Sequence, residues 1–318
     1  MAFAPNRLEI CGGAAGAFWR LLFSGFLLTS WPMNSVQVRL LVGLGRVAIL
    51  PTVWSNGLAG WWLGGGGNLW KLPFLLLGTG LLHTGGAFLN DAFDAEADQR
   101  QRPERPVPAG KISAALVWRL GFGQLALGIF LLLFCGQLAA GAAFFLALTI
   151  LLFNFSHQFF TAAPVLLGIC RFWLYIIGGA TGAEGLTGFA IFGGAALAGY
   201  VAGAGLITGR KPNRAATPRW PVLLLSAPIL LALAMNADSF RTRAVWLSVV
   251  VLTWTAHSLR KLLFGGPLHP AHTAANLLAG ICLVDWLAVG PSAPGTSLWL
   301  FGTGFALTKS LQKILPPA

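Results

Sequence analysis

The chain has 318 residues, of which 56% are hydrophobic and only 9% charged, with a mean hydropathy of +0.73. Soluble domains carry about 25% charged residues, so this composition excludes a soluble globular protein and points to one built for the bilayer. The net charge of +12 does not indicate a nucleic-acid partner, because the basic residues lie between apolar runs and form no patch of their own.

Residues 1–35 contain an apolar patch, AFWRLLFSGFLLTSW, broken by Arg20 and without a small-residue cleavage site. They are expected to form an N-terminal extension, either interfacial or unstructured. Residues 36–318 are expected to form one transmembrane domain. A spanning helix needs roughly 20 apolar residues, and such segments occur at 40–63, 69–90, 112–133, 137–156, 164–181, 187–208, 220–235, 244–262 and 272–289. The expected fold is an all-α polytopic bundle of nine transmembrane helices around a central cavity, with 297–310 as a tenth, short helix. Runs such as LLLSAPILLALA and FFLALTILLF lack the alternation of a barrel strand. The GGGG at 64–67 reads as a loop. Cys11, Cys135, Cys170 and Cys282 are scattered, with no C-x-x-C spacing, and suggest neither a thiolate metal site nor a disulfide framework. With the N-terminus inside, 13 Lys and Arg fall in segments on that side, against Lys71, Arg241 and Arg243 on the other. This positive-inside bias places the protein in the cell (inner or plasma) membrane, with residues 90–110 on the cytoplasmic face.

That stretch, NDAFDAEADQRQRPERPVPAG, holds Asp91, Asp94, Glu96, Asp98 and Glu104, five of the nine acidic residues. Asn90, Asp94 and Asp98 are spaced i, i+4, i+8; each step advances about 40° and 6 Å on a helix, so they form a slanting stripe on one face. Asp91 sits one position round, and Glu96 points to the far side. An aspartate at the centre of a spanning helix costs about 2.5–3.5 kcal/mol, so the stripe must face water, a protein cavity or a cation. Magnesium takes one or two carboxylates and completes its shell with waters and phosphate oxygens. Arg100, Arg102, Arg105 and Lys111 follow as donors able to close over phosphate.

NDAFDAEAD followed by RPERPVPAG resembles the first aspartate-rich motif of the UbiA superfamily of intramembrane prenyltransferases, and LPTVWSNGLAG at 50–60 suits its first helix. The resemblance covers about residues 36–290. It implies that Asn90, Asp94 and Asp98 bind Mg2+ and, through it, the diphosphate of an isoprenyl donor, with Asp91, Arg102 and Arg105 beside them. The chain looks most like the EboC-like branch, which has the first motif, a Cys–Arg pair in the fifth helix (here Cys170 and Arg171) and a basic stretch where the second motif belongs.

The family's second aspartate-rich motif has no counterpart. Residues 199–219, GYVAGAGLITGRKPNRAATPR, contain no acid. Arg210, Lys211 and Arg214 there either neutralise diphosphate directly or are ordinary positive-inside charges. His157 reads as a surface group or as part of the substrate pocket. Arg171 lies within GICRFWLYIIGG, and an ionisable residue at membrane depth faces the bundle interior by default; it either pairs there with a stripe aspartate or phosphate, in a catalytic role, or snorkels to the cytoplasm. Arg46 and Asn56 are weaker pocket candidates of the same kind. Asp285, near the outer end of its helix, reads as simply hydrated. The expected function is prenyl transfer from an isoprenyl diphosphate to an aromatic or other electron-rich acceptor, with Asp94, Asp98 and Arg171 at the reacting end. The alternative is a non-catalytic membrane component that binds and exports a lipid-linked or aromatic precursor.

Overall fold

The computed structural model describes residues 35–209, 220–263 and 270–315. The residues from Leu40 onward form one compact unit, and the extension expected over 1–35 lies almost wholly outside the described residues. Every regular element among the described residues is helical. In chain order these are α1 (Ser35–Leu44), α2 (Leu50–Leu63), α3 (Leu72–Gln101), α4 (Ala114–Leu133), α5 (Gln137–Ser156), α6 (Ala163–Thr181), α7 (Gly188–Thr208), α8 (Pro221–Leu225), α9 (Ala227–Met235), α10 (Asp238–Leu263), α11 (Pro270–Ala279), α12 (Ile281–Val289) and α13 (Pro294–Ile314).

Among the described residues, six spans are long and apolar enough to cross a membrane, namely α3, α4, α5, α6, α7 and α11 with α12 taken as one rod, or seven if the bent α1–α2 pair is one span. The nine spans expected from the sequence are therefore not all confirmed. Two of the expected helices are broken. The first bends by 52° between α1 and α2, at Gly45–Arg46, where Arg46 takes a left-handed backbone with φ 47°. The seventh breaks at Ser226 into α8 and α9. The ninth has a single irregular residue, Gly280, between α11 and α12 but continues as one span, with helical bonds from Gly280 N–H to Asn276 O and from Val284 N–H to Gly280 O, both 3.0 Å. At 297–310 a full helix, α13, stands where a short one was expected.

Short polar turns reverse the chain between rods. Ser113 caps α4 by accepting from the Leu116 amide at 3.3 Å, and Thr187 caps α7 by accepting from Ala190 at 3.2 Å, the usual role of hydroxyl side chains at a helix start. The 64–67 turn is tied to the α6–α7 turn by Ala183 N–H to Gly66 O at 2.8 Å and Glu184 N–H to Gly64 O at 2.9 Å. Arg46, the end of α3 and the α5–α6 turn accordingly share the opposite end of the bundle.

Packing follows the membrane rule that small residues permit close approach. A Cβ added at Gly178 would stand 2.2 Å from the Gly57 carbonyl, and one at Gly60 would stand 2.3 Å from that of Tyr175. α2 and α6 are pressed together there, which brings Ser55 and Asn56 of α2 to Arg171 and Tyr175 of α6. Large apolar side chains such as Phe130, Phe144, Trp246, Leu252 and Trp299 remain exposed on the outer surface, as lipid-facing residues do.

Candidate functional site

α3 is the organising element. Its 30 residues span about 45 Å at 1.5 Å per residue, more than the roughly 30 Å of hydrocarbon in a bilayer. The helix continues through the acidic stretch without a break as far as Gln101, so the stripe is helical surface and no solvated loop. Asn90 and Asp98 are buried, Asp91 and Asp94 half-buried, and Glu96 is exposed on the far side, pairing only with Arg100 at 3.1 Å.

Each stripe residue meets a partner from another segment. Asn90 accepts from the Arg46 guanidinium and donates to Asn154 Oδ1 at 3.4 Å, and Asn154 in turn donates to the Gly86 carbonyl at 3.1 Å. The left-handed turn at Arg46 lets this side chain reach the stripe. Asp91 lies 3.9 Å from Arg46 and 3.7 Å from Arg105. Asp98 accepts from Arg105 at 2.7 Å. Asp94 lies 3.0 Å from His157 Nε2 and accepts from Gln158 at 2.7 Å. His157 sits just past the end of α5, where its hydrogen bond to the Asp94 carboxylate raises the imidazole pKa above its ordinary value, against the opposing effect of burial. The surface role for His157 gives way to contact with the stripe. Arg102 caps the C-terminus of α3 and is exposed.

Among the described residues, no group of three His, Cys, Asp or Glu side chains converges as a metal cage. The donors of the stripe are hard oxygens about 6 Å apart along the helix, so Asn90, Asp94 and Asp98 cannot all close on one bare ion. They suit a magnesium that takes one or two carboxylates and completes its shell with phosphate and water. Arg210, Lys211 and Arg214 lie outside the described residues.

Deeper in the bundle is a second polar group. Arg171 is buried and donates to Asn56 Oδ1 at 2.9 Å; it reaches no stripe aspartate within ion-pair distance. Asn56 donates onward to Asp285 at 2.8 Å; Asp285 also accepts from Tyr175 at 2.5 Å and from Ser55. Asp285 is 0% exposed, which corrects the hydrated position expected for it: the three donors replace water. Asn56 is thus a bridge between two ionisable groups. Between this cluster and the stripe stands His83 of α3, beside Arg46 and Arg171, with its Nε2 shut off from solvent and without a partner among the described residues. Sequence reading passed over His83, Asn154, Gln158 and Tyr175. For His83 the signal was present: a histidine inside the apolar run LLHTGGAF, seven residues before Asn90, falls on the same helix face.

At the other end, a cavity of about 650 Å³ is lined by Trp61, Trp62, Phe192, Pro228 and Leu287 among others, with Tyr175 in its wall and Glu184 at its edge.

A model of the UbiA prenyltransferase family matches residues 48–312. Curated relatives carry the name digeranylgeranylglyceryl phosphate synthase. The chain is 33% identical to that of Methanoregula boonei over 131 residues, 41% of each chain. It is 32% identical to that of Sulfolobus acidocaldarius over 90 residues, 28% of this chain and 31% of the relative. It is 51% identical to that of Methanothrix thermoacetophila over 49 residues, 14% of this chain and 18% of the relative. The matched stretches thus span less than half the length of these relatives. A solved structure described for digeranylgeranylglyceryl phosphate synthase in membranes aligns over 87% of this chain and 95% of its own, with 17% identity and a TM-score of 0.48.

Proposed function

Because the chain belongs to the UbiA prenyltransferase family, we propose that it transfers a prenyl group from an isoprenyl diphosphate to an electron-rich acceptor inside the membrane. The observation that carries this reading is the acidic stripe on the continuous helix α3, met by Arg46, Arg105 and His157 from three other segments. A surplus of carboxylates already shadowed by cationic donors is the arrangement a metal diphosphate needs: the carboxylates hold the cation, and the donors turn to phosphate oxygens.

In this reading the stripe of Asn90, Asp94 and Asp98 would hold Mg2+ through one or two of its side chains at a time, with the diphosphate and water completing the shell; the metal, when bound, would neutralise the diphosphate and ease its departure. Arg105 and Arg46 supply charge-assisted hydrogen bonds to the leaving group, with Asp91 keeping both in place. Arg102 adds positive charge next to the stripe, and Arg210, Lys211 and Arg214, in the sequence stretch where a second acidic motif would otherwise bring metal, would neutralise diphosphate directly. His157, whose contact with Asp94 favours its protonated form, is a further donor to phosphate. Arg171, fixed by Asn56, is a buried positive charge on the inner side of the stripe. The apolar walls exclude water from the developing allylic cation. The relatives' name describes a product with two geranylgeranyl groups on glyceryl phosphate, which favours a lipid carrying one free hydroxyl as acceptor; an aromatic acceptor remains the competing class. The stripe faces the cytoplasm, and residues 1–35 are an extension to the 36–318 domain.

The test is magnesium-dependent binding of labelled geranylgeranyl diphosphate to the purified full-length protein. Asp94→Asn is expected to abolish it, and Arg105→Gln to weaken it about tenfold, the worth of one charge-assisted hydrogen bond. Unaltered binding in Asp94→Asn would remove the stripe from the site. A second reading, non-catalytic binding and export of a lipid-linked or aromatic precursor, draws support from the aromatic-lined cavity at the far end. It expects tight binding of such a precursor with no release of diphosphate.

A further inference from the structure

We propose that His83 is the base that takes the acceptor's proton during prenyl transfer. This rests on the transferase reading. Transfer to an acceptor X–H breaks the bond from the prenyl C1 to the diphosphate oxygen, whose electron pair leaves with the diphosphate. A C1–X bond forms with the electron pair of X, and the X–H proton passes to a base. No oxidant or reductant is involved.

The position of that base follows from the position of the leaving group. Diphosphate belongs at the acidic stripe, so the acceptor approaches from the opposite side of C1, deeper in the bundle. His83 precedes Asn90 by seven residues, which is within about 20° of two full turns and about 10 Å along the axis. It therefore lies on the face of the stripe, two turns deeper.

Its Nε2 is closed to solvent and has no hydrogen-bond partner among the described residues. Buried polar atoms in native proteins are nearly always partnered, so a vacant one on the reacting face is best explained by a ligand that completes it. The other titratable groups nearby are engaged. His157 is held by Asp94 at 3.0 Å. Asp285 accepts from Ser55, Asn56 and Tyr175, and Arg171 is bound to Asn56 at 2.9 Å. The charged groups that face His83 are Arg46, at the turn between α1 and α2, and Arg171 of α6; neither accepts a proton. A neutral imidazole carries a lone pair on one ring nitrogen, and the unpartnered Nε2 is the atom free to take the proton.

The experiment compares wild type with His83→Gln, full-length and reconstituted in vesicles, using labelled geranylgeranyl diphosphate, Mg2+ and a glyceryl phosphate lipid with one free hydroxyl. Glutamine keeps a hydrogen-bonding side chain but cannot take the proton. Donor binding is expected to stay within about twofold of wild type while kcat falls about 100-fold, the usual worth of a general base. The gap between wild type and variant should narrow at high pH, where hydroxide removes the proton. Transfer by His83→Gln within about threefold of wild type, or a gap that does not narrow at high pH, would overturn the assignment. Joint loss of donor binding and transfer would also overturn it, making His83 a structural support. Failure of the wild type to bind donor is a separate result that sinks the transferase reading itself.

Discussion

Asp94 is the most heavily attended residue of the stripe, with His157 at 3.0 Å and Gln158 at 2.7 Å. The carboxylate holds the His157 pKa above its ordinary value, and the sign of the pH effect follows. A group whose pKa is raised in the folded state contributes stability in full below its unfolded value of about 6.5, and the contribution is lost as pH rises through the folded value. The melting midpoint in detergent should therefore drop more between about pH 6 and about pH 9 in wild type than in His157→Gln. Equal drops would show that the pair does not form in solution. The slanting stripe at 90, 94 and 98 was readable from the sequence because the helical period is a local property. The partners of Asp285 were not: Ser55, Asn56 and Tyr175 lie at least 110 residues away, and no local pattern encodes such a meeting. Arg46 was readable as an intramembrane charge, but the left-handed turn that aims it at Asn90 was not.

Among the elements, α2, α6 and α12 form the junction that holds the inner polar cluster. Its closeness depends on glycine: a side chain at Gly178 would collide with the Gly57 carbonyl. Gly178→Val is expected to destabilise the protein by about 1–3 kcal/mol, the cost of overpacking, whereas Gly123→Ala, with nothing within 4 Å of the added carbon, should be neutral or slightly stabilising. Thermal melts in one detergent compare the two, and equal effects would contradict the packing described. Asp285→Ala strips three donors of their acceptor and leaves Arg171 without its nearby acid; removing one member of a buried charged set typically costs about 3–5 kcal/mol. Helix positions in the first half of the chain were legible because apolar length and turn residues are both strong there. The break at Ser226 was not. Nor was the close packing at Gly280, where an added Cβ would meet the Tyr200 hydroxyl at 2.7 Å and Trp254 at 2.8 Å, a tertiary approach that the sequence does not display.

For the whole molecule, the bundle has two unlike ends: one with the acidic stripe and its cationic partners, the other with the glycine turn and the aromatic-lined cavity. In the orientation proposed above from the positive-inside bias, the first end faces the cytoplasm. Single cysteines introduced at Gly110 and Gly66 should react with a membrane-impermeant thiol reagent from the inner and outer sides respectively; the reverse pattern would invert the topology. The central claim is chemical transfer, and the most direct test is to supply vesicles containing the purified protein with Mg2+, labelled geranylgeranyl diphosphate and a glyceryl phosphate lipid or an aromatic acceptor. The prediction is one diphosphate released for each prenyl group joined to acceptor, with both lost in Asp94→Asn. Tight binding of either acceptor with no diphosphate release and no prenylated product would contradict it and leave the carrier reading in its place.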